Sequence, residues 1–165
     1  MTTRASLAKA QSPGIVPYVG VGYAWFAGSG ILTAGGTNTI RITMKNPAGS
    51  GVNISLARIR ASMSHTHILE AFINPTTNLP SASRLISNCI LDGRVYGGLT
   101  EVKADVGAVL SGGIELSVNI GLGGEGGDVI VDGPFIIPPG NMLGLCTHVQ
   151  PGTVEGVISA LWEEH

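Results

Sequence analysis

Between Phe135 and Trp162 the chain leaves no space for a helix. Phe135-Ile136-Ile137 runs into Pro138-Pro139-Gly140-Asn141, Met142 to Val149 is closed by Pro151-Gly152, and Val154 to Trp162 follows. Pro139 fixes φ at the second position of a β-turn, and Gly140 supplies the positive φ that a type II turn needs at the third. Pro151-Gly152 repeats the signal one strand later. Leu143, Leu145, Thr147 and Val149 share one parity, and Val154, Gly156, Ile158, Ala160 and Trp162 share another. Each segment therefore has one apolar face, as strands of an antiparallel sheet have on a core. Strand, turn, strand, turn, strand is the expected order, forming terminal hairpins.

The same grammar extends upstream. Thr39 to Lys45 sets Ile40, Ile42 and Met44 inward against Arg41, Thr43 and Lys45, and Asn46-Pro47-Ala48-Gly49-Ser50-Gly51 is turn chemistry throughout. Val52, Ile54 and Leu56 then occupy even positions while Ile59, Ala61 and Met63 are odd. A β-bulge near Ala57-Arg58 explains the slip, since one extra residue flips parity without ending a strand. His67 to Ile73 reads as a strand stopped by Asn74-Pro75 and the polar loop Thr76 to Ser83. Ser87 to Leu91 reads as a short strand, Leu99 to Leu110 has weak periodicity, and Ile114, Leu116, Val118 and Ile120 alternate cleanly. Gly121 to Gly127 is a loop before Val129 to Ile137. Near the start, Tyr18 to Phe26 holds four of the eight aromatic residues, as a first core strand or an aromatic contact patch, and Gly28 to Thr37 reads as a loop. About eight strands and no convincing helix predict an all-β fold: an antiparallel β-sandwich, jelly-roll type, with an extended N-terminal arm.

A chain of 165 residues fits one domain. We place it at 18–165, with residues 1–17 as the arm, because Ser12-Pro13-Gly14 and Pro17 break any helix begun at Ala5 to Ala10. Charged residues make up only 12% of the chain, there are 25 glycines and the formal net charge is −2; mean hydropathy is +0.34. Charge repulsion of that size does little to keep copies apart, so much of the outer surface is expected to be covered in an assembly, and the arm to lie on a neighbouring subunit. Few and scattered basic residues argue against nucleic acid. No uncharged apolar run approaches the length of a membrane helix, and the first ten residues lack the apolar core of a secretory signal.

Candidate chemistry weakens on inspection. His65 and His67 share one strand face, as metal ligands would, but no third ligand accompanies them. Gly121-Leu122-Gly123-Gly124-Glu125-Gly126-Gly127 lacks the Lys-Ser/Thr and helix start of a phosphate loop. The acid pairs Asp92 with Glu101, Asp128 with Asp132, and Glu163-Glu164 read as surface charge, because nothing sets one member's pKa apart from the other's. No Gly-x-Ser-x-Gly elbow occurs. Cys89 and Cys146 are read as reduced core thiols. We expect no enzyme activity, no cofactor and no metal.

Ile137-Pro138-Pro139-Gly140-Asn141-Met142-Leu143, the closing Ala160-Leu161-Trp162-Glu163-Glu164 and the turn Asn46 to Gly51 together resemble small jelly-roll structural proteins of tailed bacteriophages, over roughly Thr37 to Glu164. That group comprises head decoration or cement proteins and related head-fibre and tail components. The resemblance implies a virion location, assembly in the host cytoplasm, a trimer or dimer, and the major capsid protein as partner. It carries no catalytic residue. Arg4, Leu7 and Lys9 in the arm, with Tyr18, Tyr23 and Trp25 after it, are the candidate subunit contacts. The alternative is a fibre or receptor-binding module, related to the tail, whose loops Asn74 to Ser83 and Gly121 to Gly127 recognise a host glycan or another virion protein.

Overall fold

In the computed structural model, which describes residues 24–64, 68–88, 98–120, 128–147 and 152–165, the regular elements are all strands. They are β1 (Ala24–Gly28), β2 (Leu32–Gly35), β3 (Thr39–Lys45), β4 (Ile54–Met63), β5 (Ile68–Ile73), β6 (Ile86–Asn88), β7 (Glu101–Gly107), β8 (Ile114–Ile120), β9 (Asp128–Ile137), β10 (Met142–Thr147) and β11 (Thr153–Glu164). One sheet has the order β6-β1-β11-β4-β9, with β2 also paired to β11; the other has the order β7-β3-β10-β5-β8. Every pairing among the named strands is antiparallel. Packed face to face, the two sheets make a β-sandwich, as the alternation predicts.

The terminal strands are where expected, but they are not hairpins. β9 pairs with β4, β10 with β3 and β5, and β11 with β1, β2 and β4, so each turn carries the chain across from one sheet to the other. Turn chemistry gives the reason. Asn141 N–H donates to Pro138 O at 3.1 Å, and Gly140 has φ +82°, which makes the type II turn read from the sequence. Unprimed turns of this kind splay the flanking strands, whereas two-residue hairpins need the primed types.

The bulge is also where parity places it. Leu161 faces Arg58 and Trp162 faces Leu56, which leaves Ala57 as the extra residue of β4. The β4–β9 register shifts at the same point, skipping Gly133 and Pro134 on β9. β9 is the edge strand, where a proline costs no ladder bond. One expectation fails: Gly28 to Thr37 is not all loop, because β2 lies within it. β11 is twelve residues long, so β1 pairs with its Ser159–Glu163 part and β2 with its Thr153–Gly156 part. The two form one interrupted strand. The interruption is fixed by Ser29, fully buried, whose N–H donates to Ile158 O at 2.8 Å while Ile158 N–H donates to Ser29 Oγ at 3.0 Å.

Between the sheets lies the main core. Ile40, Ile42 and Met44 of β3 and Leu145 of β10 meet Leu56 of β4 and Ile158 and Trp162 of β11. Trp162 is completely buried. Thr43, read as outward, is nonetheless buried, because the far face of its sheet has a second cover. Phe72, Leu110 and Cys146 form a separate cluster there, with Val109 against it.

Candidate interaction surface

The two turn motifs that carry the resemblance are joined at one end of the sandwich. Gly140 N–H donates to Asn46 O at 2.8 Å, and Asn46 N–H donates to Asn141 O at 2.9 Å. The buried Asn46 side chain extends the clasp, its Nδ2 donating to Val52 O at 2.9 Å and to Ile137 O at 2.8 Å. Its Oδ1 has no hydrogen-bond partner. On the rim, Asn74 Nδ2 donates to Asn141 Oδ1 at 2.8 Å, and Met142 N–H donates to Asn74 Oδ1 at 2.7 Å. Asn74 holds φ +52°, a left-handed conformation that asparagine tolerates better than most residues. The chain's end is tied in beside it by reciprocal bonds between Asn53 and His165.

Polar anchors hold the segment 74–85 to the outer face of the β7-β3-β10-β5-β8 sheet, with Asn74, residues 76–79 and residues 81–83 exposed. Arg41 Nε donates to Asp105 Oδ1 at 2.6 Å, and Arg41 Nη1 donates to Asn78 O at 2.5 Å and Ala108 O at 3.1 Å. Ser81 N–H donates to Asp105 Oδ2 at 2.8 Å, and Asn78 Nδ2 donates to Val109 O at 2.8 Å. Burial pushes the Asp105 carboxyl up, but the hydrogen bonds from Arg41 and Ser81 and the Arg41 charge outweigh it and hold it below its ordinary range. Beneath this cover Cys146 is fully buried. Burial, with a further push from the neighbouring Glu70, drives its thiol up to about 12, so it is protonated and unreactive at neutral pH. Cys146 is thus buried, but in the outer cluster and not between the sheets. Cys89 lies outside the described residues.

The other sheet's outer face is mixed in polarity and in exposure. Phe26, Leu161 and Arg58 stand in one cross-strand row; Phe26 is 45% exposed and Arg58 is exposed. The next row toward the chain's end holds Ala24, Glu163, Ser55 and Ile136. Ile136 is 60% exposed, yet Glu163 in the same row is only 8% exposed. Glu163 Oε1 has no hydrogen-bond partner, and burial raises its pKa against a smaller opposing pull from His165. Glu163 is therefore not the surface charge that the sequence suggests. Its neighbour Glu164 points the other way, accepting hydrogen bonds from Thr100 Oγ1 and, at 3.4 Å, from Trp162 Nε1. Ile31, Leu85 and Leu99, each at least half exposed, add apolar surface elsewhere.

Of the six proposed contact residues, only Trp25 falls within the described set. It is half-buried on β1 and packs against the main core, while Phe26 beside it faces out. The aromatic segment thus divides between core and surface at its last two residues. Arg4, Leu7, Lys9, Tyr18 and Tyr23 lie outside the described residues, as do the arm 1–17, His65, His67, Cys89 and the loop 121–127. Among the described residues no group of three or more His, Cys, Asp or Glu side chains is placed to hold a metal ion, and no helix is long and apolar enough to cross a membrane. Comparison with protein-family models, with curated proteins and with solved structures gives no match in any of the three.

Proposed function

We propose that the protein is a non-enzymatic virion structural protein: a capsid decoration or cement protein of a tailed bacteriophage that works as a homo-oligomer, a trimer or dimer, bridging major capsid subunits. The observation that carries this reading is the surface. A chain with 12% charged residues leaves Phe26, Ile31, Leu85, Leu99, Ile114 and Ile136 at least 45% exposed. Exposed apolar side chains on so weakly charged a surface suit a chain that works in an assembly. The strand order supports the jelly-roll part of the proposal: the late strands β10 and β11 insert between the early ones, β10 between β3 and β5 and β11 between β1 and β4. That interleaving is how two Greek keys form a double-sheet jelly roll. Many copies of a modest interface reinforce a shell by avidity, with no need for a tight single contact.

The glycan-binding alternative draws on loops as tips, and the exposed residues of 74–83, held from beneath by Arg41 and Asp105, are the part of it that the described residues include. The test is to mix the purified full-length chain with expanded capsids lacking it. Saturable binding and a raised capsid melting temperature are expected. Absence of binding, or shells whose heat resistance is unchanged by it, would remove the cement role, and a signal on a glycan array would replace it with the alternative.

A further inference from the structure

Both sheets end in strands whose outward N–H and C=O groups offer pairing to another chain. In the first sheet, β6 has three residues and β2 has four. β9 carries Pro134, which has no N–H to donate, beside a shift in register, and Asp128 and Asp132 add charge to the same strand. In the second sheet, residues 82–84 run along β7: Arg84 N–H donates to Val102 O and Ala104 N–H donates to Ala82 O, both at 2.9 Å. β8 differs from all of these. It has seven residues, a single charge at Glu115 and no proline, and among the described residues its one sheet neighbour is β5. Ile114 and Leu116 share a face of it. Leu116 is half-buried and packs against the main core, yet Ile114 is 63% exposed.

The residues of β8 fit a second β8. An antiparallel pair of identical strands that keeps both apolar faces on one side is symmetric about a single residue. Centring on Glu115 sets two carboxylates directly opposite each other, which is destabilising. Centring on Ser117 takes in Asn119, the extra residue between the Leu69–Val118 and Ile68–Ile120 pairs. Centring on Leu116 uses only the regular run from Ile114 to Val118. It places Leu116 opposite Leu116, Ile114 opposite Val118, and each Glu115 opposite a serine, Ser117. Apolar residues then meet on one face, and on the other no acid faces an acid.

We propose that β8 is a dimerisation edge: two copies of this chain pair Ile114 to Val118 antiparallel about Leu116, joining their β7-β3-β10-β5-β8 sheets into one continuous sheet. The inference deepens the homo-oligomer reading above by choosing the two-fold dimer. Main-chain hydrogen bonds supply the attachment, and the two-fold makes each contact twice. The pairing also sets an apolar residue beside the exposed Ile114.

The experiment uses the full-length chain. Self-association is read by sedimentation across a dilution series, and the melting temperature is read at concentrations where the chains are separate. Wild type is expected to be a concentration-dependent dimer. Ile114→Lys, at an exposed position, should weaken dimerisation about tenfold or more and leave the separate chain's melting temperature alone. Leu116→Cys should form, on mild oxidation, a disulfide between the two copies at position 116, identified by peptide mapping, because directly opposite Cβ atoms lie about 4.5–5.5 Å apart. Glu115→Cys, two positions out of register with its counterpart, should cross-link far less. A monomeric or trimeric wild type, undiminished dimerisation in Ile114→Lys, or cross-linking of Glu115→Cys as ready as that of Leu116→Cys would overturn the pairing. So would a monomer whose capsid binding is lost with Ile114→Lys, which would give the edge to a capsid strand. A monomer that binds capsids with or without the substitution removes the dimer and leaves the decoration reading intact; a dimer with the expected cross-links that ignores capsids does the reverse.

Discussion

Two carboxylates within the same sandwich respond to pH with opposite sign, and the difference lies in their partners. Asp105 sits under a guanidinium and a backbone N–H, so its folded pKa is below the unfolded value. Its contribution is present at neutral pH and is lost as pH falls below about 4. Asp105→Asn should cost about 1–3 kcal/mol at neutral pH, and the difference from wild type should shrink in acid. Glu163 is the reverse case, because burial raises its folded pKa. Its ionised form is a penalty above that pKa and none below the unfolded one, so the gain from Glu163→Gln in the separate chain should fade in acid. Urea unfolding of wild type and both variants between pH 3 and 7 checks both signs; parallel curves would refute them. Neither environment was legible from sequence. Asp105 depends on Arg41, 64 residues away. Glu163 follows Trp162 in strict alternation, a pattern that places it outside the core without saying how open that outside is.

Sequence periodicity is most informative for the strands whose two faces differ. β3 spans the residues expected of it, and the bulge at Ala57 follows from parity alone. β2 was hidden because Gly30, Gly35 and Gly36 read as loop, while its pairing is imposed by the length of β11. The pairing of the last three strands was hidden for a related reason: a turn signal locates the corner but does not say which sheet the next strand joins. Gly144 of β10 shows how a strand is also chosen for what lies on it. A Cβ there would stand 2.7 Å from Leu110 Cδ1 and 2.8 Å from Pro75 Cγ. Leu110 can rotate, but the proline ring cannot yield in the same way. Gly144→Ala should cost roughly 1–3 kcal/mol, lowering the melting temperature by several degrees. It should also lift the cover from Cys146, on the same outer cluster. Peptide mapping after alkylation should then show faster modification of Cys146 in the native variant than in wild type. An unchanged rate would mean that Pro75 and Leu110 are not what seals the thiol.

At the scale of the whole molecule, architecture and partner separate in how far sequence can reach them. Alternation and turn chemistry dictate two packed sheets, because a half-apolar strand has one way to hide its face and a Pro-Gly turn has few geometries. The proposed partner surface draws on residues that alternation leaves outside. Phe26 and Leu161 come side by side only through register, which no local pattern encodes. On the proposed reading the arm lies on a neighbouring subunit, so its task is expected to lie outside folding. Deleting Met1 to Pro17 should therefore leave the far-ultraviolet spectrum of a β-sandwich and a cooperative melt within a few degrees of wild type. If the arm lies on a neighbouring subunit, the same deletion should reduce the number of copies retained per capsid, counted by quantitative gel or mass spectrometry after dilution, because each lost contact is multiplied over a lattice. Full retention by the truncated chain would move the docking surface to the sandwich itself, to the exposed row at Phe26 and Leu161; loss of the cooperative melt would assign the arm to the fold.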